Sequence, residues 1–238
     1  MKIAVVAHLF YADLWDEIAG YLRNIPIDFD LFVSVPRENA HALREVVLRD
    51  HPQAQVIEVP NVGRDVGAFF AVFDRVLAGN YSVLCKLHSK KGSLHPDAWR
   101  DLLLRGLLGN KMLVARILHA FACEPELALV GPRELYLFGP DQITLNRQKV
   151  EELTRSLYPG QRLPTVWGFF AGTMFWARPE FFHPLVQGAG RIVSFENDNT
   201  MSDGQLAHAW ERVFGIHATL AGNWLDRERR CATSRRSH

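Results

Sequence analysis

The sequence V-L-C-K-L-H-S-K-K-G at residues 83–92 decides how the rest of the chain is interpreted. It begins as a short apolar run of the kind that forms a buried strand, and it breaks directly into a basic loop that ends in glycine. In open parallel sheets, ligands bind beyond the carboxyl ends of the strands, so cations and donors placed there favour a phosphate or diphosphate. The alternative is a solvated, lysine-rich turn that binds nothing. The candidate ligand-binding residues of this loop are Lys86, His88, Ser89, Lys90 and Lys91.

Strands and helices alternate through the part of the chain that precedes this loop. This alternation predicts an α/β fold, in which a layer of parallel strands is joined by right-handed crossovers through flanking helices. Leu127–Val130 is a further strand, and residues 140–164 are polar enough to predict a variable loop or small helical insertion. The pattern predicts strands at residues 3–7, 30–35 and Gln55–Val59, and helices at residues 13–21, 38–49 and 95–121, the last broken near residues 109–110.

A second polar segment, N-V-G-R-D-V-G-A-F-F at residues 61–70, follows the third predicted strand and opens an apolar helix. Glycines at a strand-to-helix junction let the backbone approach a ligand, and a helix N-terminus attracts anions. The alternative is a structural turn in which Arg64 and Asp65 pair with each other. Neither a Walker loop nor a dinucleotide fingerprint is present. The residues that we assign to the same ligand as the basic loop are Asn61, Gly63, Arg64 and Asp65.

An aromatic segment, W-G-F-F-A-G-T-M-F-W-A-R-P-E, occupies residues 167–180. Its aromatic and β-branched residues predict a pair of central strands, with glycines that permit close backbone approach. Large apolar side chains are usually core packing. Gly172 and Thr173 are therefore better site candidates than the neighbouring phenylalanines.

The last informative segment is M-S-D-G-Q-L-A-H-A-W-E-R at residues 201–212. Ser202 and Gln205 have the spacing of a capping box, which places Asp203 in the first turn of a helix. There Asp203 could complement the helix dipole or act as a general base. His208 and Arg212 are four residues apart and share a helix face.

Composition limits the classes of protein to consider. The 238 residues carry a formal net charge of +1, which argues against a general nucleic-acid binder. Cys85, Cys123 and Cys231 are widely spaced, so they predict neither a disulfide framework nor a zinc site. The N-terminus lacks the pattern of a signal peptide, and no apolar stretch is long enough to span a membrane. We therefore expect a cytoplasmic protein.

Four of these motifs together resemble the rhamnan synthesis protein F family of bacterial cell-surface polysaccharide gene clusters. They are N-V-G-R-D-V-G-A-F, C-K-L-H-S-K-K, F-F-A-G-T-M-F-W-A-R-P and D-G-Q-L-A-H-A-W-E-R, in that order across residues 61–212. The resemblance implies a single GT-A-like, Rossmann-like domain at residues 1–226, with a donor half at 1–130 and an acceptor half at 131–226. We expect little beyond this core domain except a basic, disordered tail at residues 227–238, which could favour anionic membrane surfaces.

The resemblance also implies a rhamnosyltransferase that uses a nucleotide sugar such as dTDP-rhamnose and a glycan or lipid-linked glycan acceptor. By analogy with inverting GT-A enzymes, Asp203 is the expected base, with His208 orienting it or facing the acceptor. Gly172 and Thr173 are expected at the junction of donor and acceptor.

Many GT-A enzymes hold a divalent metal with a D-x-D motif. The D-x-D of this sequence, residues 28–30, comes before the second strand, at the wrong end for a strand-end ligand. Because Lys86 and its basic neighbours stand where that motif is expected, we predict metal-independent activity and no cofactor. Two alternatives remain: a non-catalytic module that binds a nucleotide sugar or glycan, and a phosphoryl transferase, which the missing P-loop makes less favourable.

Overall fold

The computed structural model of the protein describes residues 1–91, 96–192, 195–196, 203–222 and 224–226. Its strands are β1 (Ile3–His8), β2 (Phe29–Pro36), β3 (Gln55–Val59), β4 (Val83–His88), β5 (Leu127–Val130), β6 (Tyr136–Phe138), β7 (Gly168–Phe170), β8 (Phe175–Ala177) and β9 (Trp224–Asp226). A seven-stranded sheet in the order β3-β2-β1-β4-β8-β5-β9 forms the centre, and β6 and β7 form a separate antiparallel pair.

The central sheet is mostly parallel, as the sequence predicts. Strands β1 to β4 run parallel to one another, and β5 runs parallel to β9. Only β8 is antiparallel to both strands that it pairs with, β4 and β5. After β1 the chain adds β2 and β3 on one side and then crosses to place β4 on the other. The carboxyl ends of β1 and β4 therefore form a topological switch point, where ligands of α/β sheets bind.

Helices cover both faces of the sheet. They are α1 (Trp15–Leu22), α2 (Ala40–Asp50), α3 (Arg64–Ala78), α4 (Pro96–Leu108), α5 (Lys111–Cys123), α6 (Arg147–Leu157), α7 (Pro179–Ile192) and α8 (Leu206–Leu220). The apolar core on one face includes residues of α1, α2, α4 and α5, and the core on the other includes residues of α3, α6, α7 and α8. Strand β1 is buried on both sides, because Val5 packs in the first core and Val6 in the second.

The predicted α/β architecture is confirmed, with two local corrections. The segment at residues 167–180 does not form a central strand pair, because β7 pairs with β6 and only β8 joins the central sheet. Asp203 does not lie in the first turn of a helix, because α8 begins three residues later at Leu206. Its cap is a reciprocal box between Gln205 and His208, while Ser202 lies outside the described residues.

Other expectations have mixed outcomes. The break predicted near residues 109–110 separates α4 from α5, and Asn110 caps α5 by accepting a hydrogen bond from the backbone of Leu113 at 2.9 Å. The polar segment at residues 140–164 contains α6. The tail at residues 227–238 lies outside the described residues, and the division into donor and acceptor halves stays a prediction. None of the helices that the structure describes is long and apolar enough to cross a membrane.

Candidate functional site

Two adjoining cavities lie beyond the carboxyl ends of the central strands. The larger, about 270 Å³, is here called the switch-point cavity because His8 and His88 line it from the ends of β1 and β4. The other, about 60 Å³, is called the junction cavity. Arg64, Asp65 and Lys90 line both.

The structure brings most of the predicted site residues to these two cavities. Ser89 and Lys91 also line the switch-point cavity, as does Asn61. The described lining of the switch-point cavity is His8, Phe10, Tyr11, Asn61, Arg64, Asp65, His88, Ser89, Lys90 and Lys91. The described lining of the junction cavity is Arg64, Asp65, Val66, Lys90, Gly172, Thr173, Ala207, His208 and Glu211.

Two turns with left-handed backbone conformation contribute residues to the lining of the cavities, Arg64 to both and Gly172 and Thr173 to the junction cavity. Gly63 has φ 73° and Arg64 has φ 55°, so the chain turns sharply just as α3 begins. A methyl group on Gly63 would lie 2.4 Å from the ring of Phe195, so both the backbone and the space require glycine. Gly172 and Thr173 repeat the pattern with φ 92° and 48°. Non-glycine residues in this region are strained, and such strain concentrates at functional sites.

A buried ion pair joins the two turns beneath the cavities. The side chain of Lys86 is 1% exposed, and its Nζ donates to Asp65 Oδ2 at 2.6 Å and to the Thr173 carbonyl oxygen at 2.8 Å. The Thr173 hydroxyl also donates to Asp65. Burial lowers the pKa of Lys86, and Asp65 opposes this. Burial raises the pKa of the Asp65 carboxyl, but His88 and Lys86 outweigh the effect of burial, so this pKa is lowered overall.

This arrangement changes the role that the basic loop can play. All three protons of the Lys86 ammonium point at protein acceptors, so Lys86 supports the cavity floor and does not line either cavity formed by the described residues. Its direct contact with a donor, and that of Gly63, stays a prediction. The alternative of a solvated turn is wrong for Lys86, His88 and Ser89, which are buried.

The histidines of the site are neutral at physiological pH. Burial lowers the pKa of His88 to about 3 and that of His8 to about 4. Burial and the nearby Arg64 lower the pKa of His208 to about 4. The cations that face the switch-point cavity are therefore Arg64, Lys90 and Lys91.

These cations are held differently. Nε of Arg64 donates to Gln205 at 3.1 Å, which ties the start of α3 to the cap of α8. Lys91 pairs with Asp13 at 2.5 Å. Lys90 is half-buried, and within the described ranges its ammonium has no carboxylate partner. The Lys90 backbone is held by Arg100, which donates to its carbonyl oxygen at 3.2 Å.

Ser89 organises the opposite wall of the switch-point cavity. Its hydroxyl oxygen accepts hydrogen bonds from the backbone N–H groups of Phe10 at 2.8 Å and Tyr11 at 3.1 Å. The rings of these two residues meet edge to face, with centroids 4.8 Å apart. Sequence reasoning missed both aromatics and His8, although their position directly after the first predicted strand was a usable signal.

Asp203 lines neither of the two cavities as the described residues form them. Its carboxylate accepts hydrogen bonds from the Thr144 hydroxyl at 2.6 Å and from the Asn146 amide at 2.7 Å, and Arg212 lies 3.7 Å away. Burial raises the pKa of Asp203, but the hydrogen bonds from Asn146 and Thr144 outweigh burial and lower it overall. Its role as a base stays a prediction.

Sequence reasoning also passed over Glu211, the carboxylate that lines the junction cavity from α8. Glu211 accepts hydrogen bonds from the backbone N–H of Gly172 at 2.6 Å and from Arg212 at 2.8 Å. Burial raises the pKa of its carboxyl. The sequence placed Glu211 in the predicted helix, three residues after His208, but its contact with the backbone of Gly172 joins segments far apart in the chain.

Comparisons with known proteins give a family. The model of the family described as rhamnan synthesis protein F matches residues 1–222. Two proteins named "Uncharacterized protein WxcX", from Xanthomonas campestris pv. campestris strains B100 and ATCC 33913, are each 32% identical over 222 residues, 92% of this chain. The chain spans about a third of the length of these curated relatives. Among solved structures, the apo form of mouse xyloside xylosyltransferase 1 matches with a TM-score of 0.43 and 9% identity, over 95% of this chain and 84% of that one.

Proposed function

The chain belongs to the rhamnan synthesis protein F family, and from this membership we propose that it is a glycosyltransferase. In the proposed reaction L-rhamnose passes from dTDP-β-L-rhamnose to a growing cell-surface polysaccharide of O-antigen or rhamnan type. The observation that carries the proposal is the switch-point cavity, where Arg64, Lys90 and Lys91 face one another at the strand ends. A leaving group with two negative charges is stabilised by these cations.

The donor diphosphate is the group that the cations serve. As the bond to the sugar breaks, negative charge grows on the diphosphate, and preorganised cations lower the barrier by stabilising it. Lys90 is the foremost such cation, because its ammonium has no carboxylate partner in the described part of the chain. Phe10 and Tyr11 supply apolar surface for the nucleoside.

The proposed transfer is inverting, and a dTDP-β-L-rhamnose donor then yields an α-linked rhamnoside. One base must take the proton of the acceptor hydroxyl. The sequence assigns this role to Asp203, and the structure adds Glu211 as a competing candidate. The test of the assignment to Asp203 is Asp203→Asn in folded protein, and a near-normal rate would contradict it.

Metal independence is part of the proposal. Lys86 is paired with the carboxylate of Asp65, which lines both cavities, and within the described residues no three His, Cys, Asp or Glu side chains cluster as metal ligands. We expect turnover to survive EDTA. Loss of turnover in EDTA that magnesium or manganese restores would overturn this part of the proposal.

The proposed setting is the cytoplasm, with peripheral contact at the inner face of the membrane where a glycan or lipid-linked glycan acceptor is held. No nucleic-acid partner is proposed. Flotation of the protein with vesicles of anionic lipid tests the membrane contact, and failure to float at low salt would contradict it.

The first experiment is a thermal-shift panel with dTDP, UDP, GDP and CMP, each with and without EDTA. A ligand that binds the native state raises apparent stability by mass action, so we expect dTDP to raise Tm in both conditions. Release of dTDP from dTDP-rhamnose then separates an enzyme from a non-catalytic binding module. Binding without release would support the module, and no response to any nucleotide would remove the proposed donor site.

A further inference from the structure

The junction cavity holds a carboxylate that the proposed function has not yet used. Glu211 lines this cavity beside Asp65, Thr173 and His208, and its side chain is 14% exposed. Of these neighbours, Asp65 is paired with the buried Lys86 ammonium, and its Oδ2 accepts hydrogen bonds from Lys86 and from the Thr173 hydroxyl. Glu211 is the acidic group of the cavity that is not paired with a lysine among the described residues.

Two hydrogen bonds fix the orientation of Glu211. The backbone N–H of Gly172 donates to Oε1 at 2.6 Å, and Arg212 donates to Oε2 at 2.8 Å. A carboxylate accepts about four hydrogen bonds, so each oxygen retains a lone pair. Because Gly172 belongs to the second left-handed turn, this hydrogen bond holds Glu211 against a turn that lines the junction cavity.

The other side of Glu211 is apolar. A small void of about 10 Å³, lined by Phe169, Phe175 and Phe214, adjoins Glu211 opposite the junction cavity. This surrounding removes water from the carboxylate, and the desolvation raises the pKa of Glu211. Arg212 and Lys90 oppose the rise, whereas Asp65 adds to it, and Glu211 in turn favours the charged form of Lys86.

Asp203 differs in its position and in its environment. It lies outside both described cavities, although each of its oxygens accepts one hydrogen bond, Oδ2 from Thr144 and Oδ1 from Asn146, as each oxygen of Glu211 does. These bonds and the nearby Arg212 lower the pKa of Asp203, which makes it a weaker base than a desolvated glutamate. Its contacts tie the segment before α6 to the segment before α8, a positioning role.

We propose that Glu211 takes the proton from the acceptor hydroxyl, which enters the junction cavity; this inference rests on the proposed glycosyl transfer. The O–H bond of the acceptor breaks and its proton passes to a Glu211 oxygen. The acceptor oxygen forms a bond to the anomeric carbon as the bond from that carbon to the donor phosphate breaks. The electron pair of the broken bond leaves with the diphosphate, toward Arg64 and Lys90.

The test compares Glu211→Gln with Asp203→Asn, and uses Glu180→Gln, at an exposed position outside the site, as the surface control. The probe reaction is release of dTDP from dTDP-β-L-rhamnose, with water and with octyl α-L-rhamnopyranoside as acceptors. We expect Glu211→Gln to lower kcat at least about 100-fold, and to abolish the fall in rate on the acid side of a profile from about pH 5.5 to about pH 9. Its thermal shift with dTDP should match that of the unchanged protein, which shows that folding and donor binding survive.

Asp203→Asn should keep the acid limb of the profile, because the proton acceptor is still present. A second variant guards against an unfolded Glu211→Gln: Glu211→Ala opens space beside the cavity, and added formate should restore its turnover but not that of Asp203→Ala. Glu211→Gln that retains the acid limb, or Asp203→Asn that loses it, would overturn the inference while leaving glycosyl transfer intact. No dTDP release by the unchanged protein with either acceptor would instead refute the proposed function, and this inference with it.

Discussion

Replacing Lys86 with methionine removes one partner of the buried pair beneath the site and keeps the length of the side chain. The ammonium donates to three protein acceptors and is 1% exposed, while the carboxylate of Asp65 is 17% exposed. Methionine therefore leaves Asp65 charged and largely desolvated. Removing one partner of a buried ion pair costs about 3–5 kcal/mol, a large part of the roughly 5–15 kcal/mol that stabilises a typical domain.

The pH dependence of this cost has a definite sign. In the unchanged protein, folding lowers the pKa of Asp65. The Asp65 carboxylate therefore stabilises the fold at any pH above its pKa in the unfolded chain, and this stabilisation is lost as the pH falls through its pKa in the folded protein. In the Lys86→Met variant, burial raises the pKa of Asp65, and protonation of the carboxylate then reduces the destabilisation. We expect the destabilisation by Lys86→Met to be larger at about pH 8 than at about pH 5.

Urea unfolding followed by tryptophan fluorescence measures the free energy of unfolding at each pH. Asp65→Asn and the double variant complete a cycle in which the cost of the double change should fall below the sum of the single costs by at least about 1 kcal/mol. The exposed pair of Lys91 and Asp13 is the matched control, and Lys91→Met should change stability little because solvent screens it. A cost for Lys86→Met below about 1 kcal/mol, a cost independent of pH, or additive single costs would refute the reasoning.

Three further predictions follow from the contacts of the site and the core. Ser89→Ala removes the acceptor of two backbone N–H groups and should cost about 1–3 kcal/mol in urea unfolding, whereas a cost within error would show that solvent replaces the hydroxyl. Lys90→Ala should weaken dTDP binding about tenfold in calorimetry, and Lys91→Ala should weaken it less because Asp13 already engages Lys91; the reverse order would contradict the assignment. Burial lowers the pKa of His217 to about 4. As the pH drops from about 6.5 to about 4, the imidazole is protonated in the unfolded chain before it is protonated in the folded protein, so the free energy of unfolding falls, by about 2 kcal/mol at pH 5. His217→Gln should reduce the loss measured between about pH 7 and about pH 5, and an unchanged loss would assign it to other groups.

Local patterns were sufficient for much of the fold. The strands predicted at Gln55–Val59 and Leu127–Val130 match the structure residue for residue, and glycine at position 63 marks a turn that no other residue fits. Such signals depend on neighbouring residues only, through side-chain periodicity and backbone sterics. The prediction that two strand ends contribute to one site followed from the geometry of parallel sheets. Seven of the ten described residues that line the switch-point cavity come from those two segments, and His8, Phe10 and Tyr11 come from the end of β1 and the segment after it.

The start of α8 shows where local patterns fail. Ser202 and Gln205 have the spacing of a capping box, but Gln205 and His208 have the same spacing and form the box in the structure. The choice between them depends on distant groups, because the Glu196 side chain accepts the backbone N–H of Leu206 and Leu206 packs into the core. The three-residue difference moved Asp203 off the helix.

Sequence patterns predicted the alternation of strands and helices before the basic loop, the sheet edge beyond which the switch-point cavity lies, and the family to which the chain belongs. The charges of the groups around that cavity depend on the folded chain, because each decisive contact joins residues far apart in the sequence. Lys86 shares a face of β4 with Leu84 and is neutralised there by Asp65, while Asp203 is drawn to Thr144 and Asn146. Glu211, one polar residue of an amphipathic helix in the sequence, became a buried carboxylate when α8 packed against the turn at Gly172, because burial and pairing are properties of the folded chain.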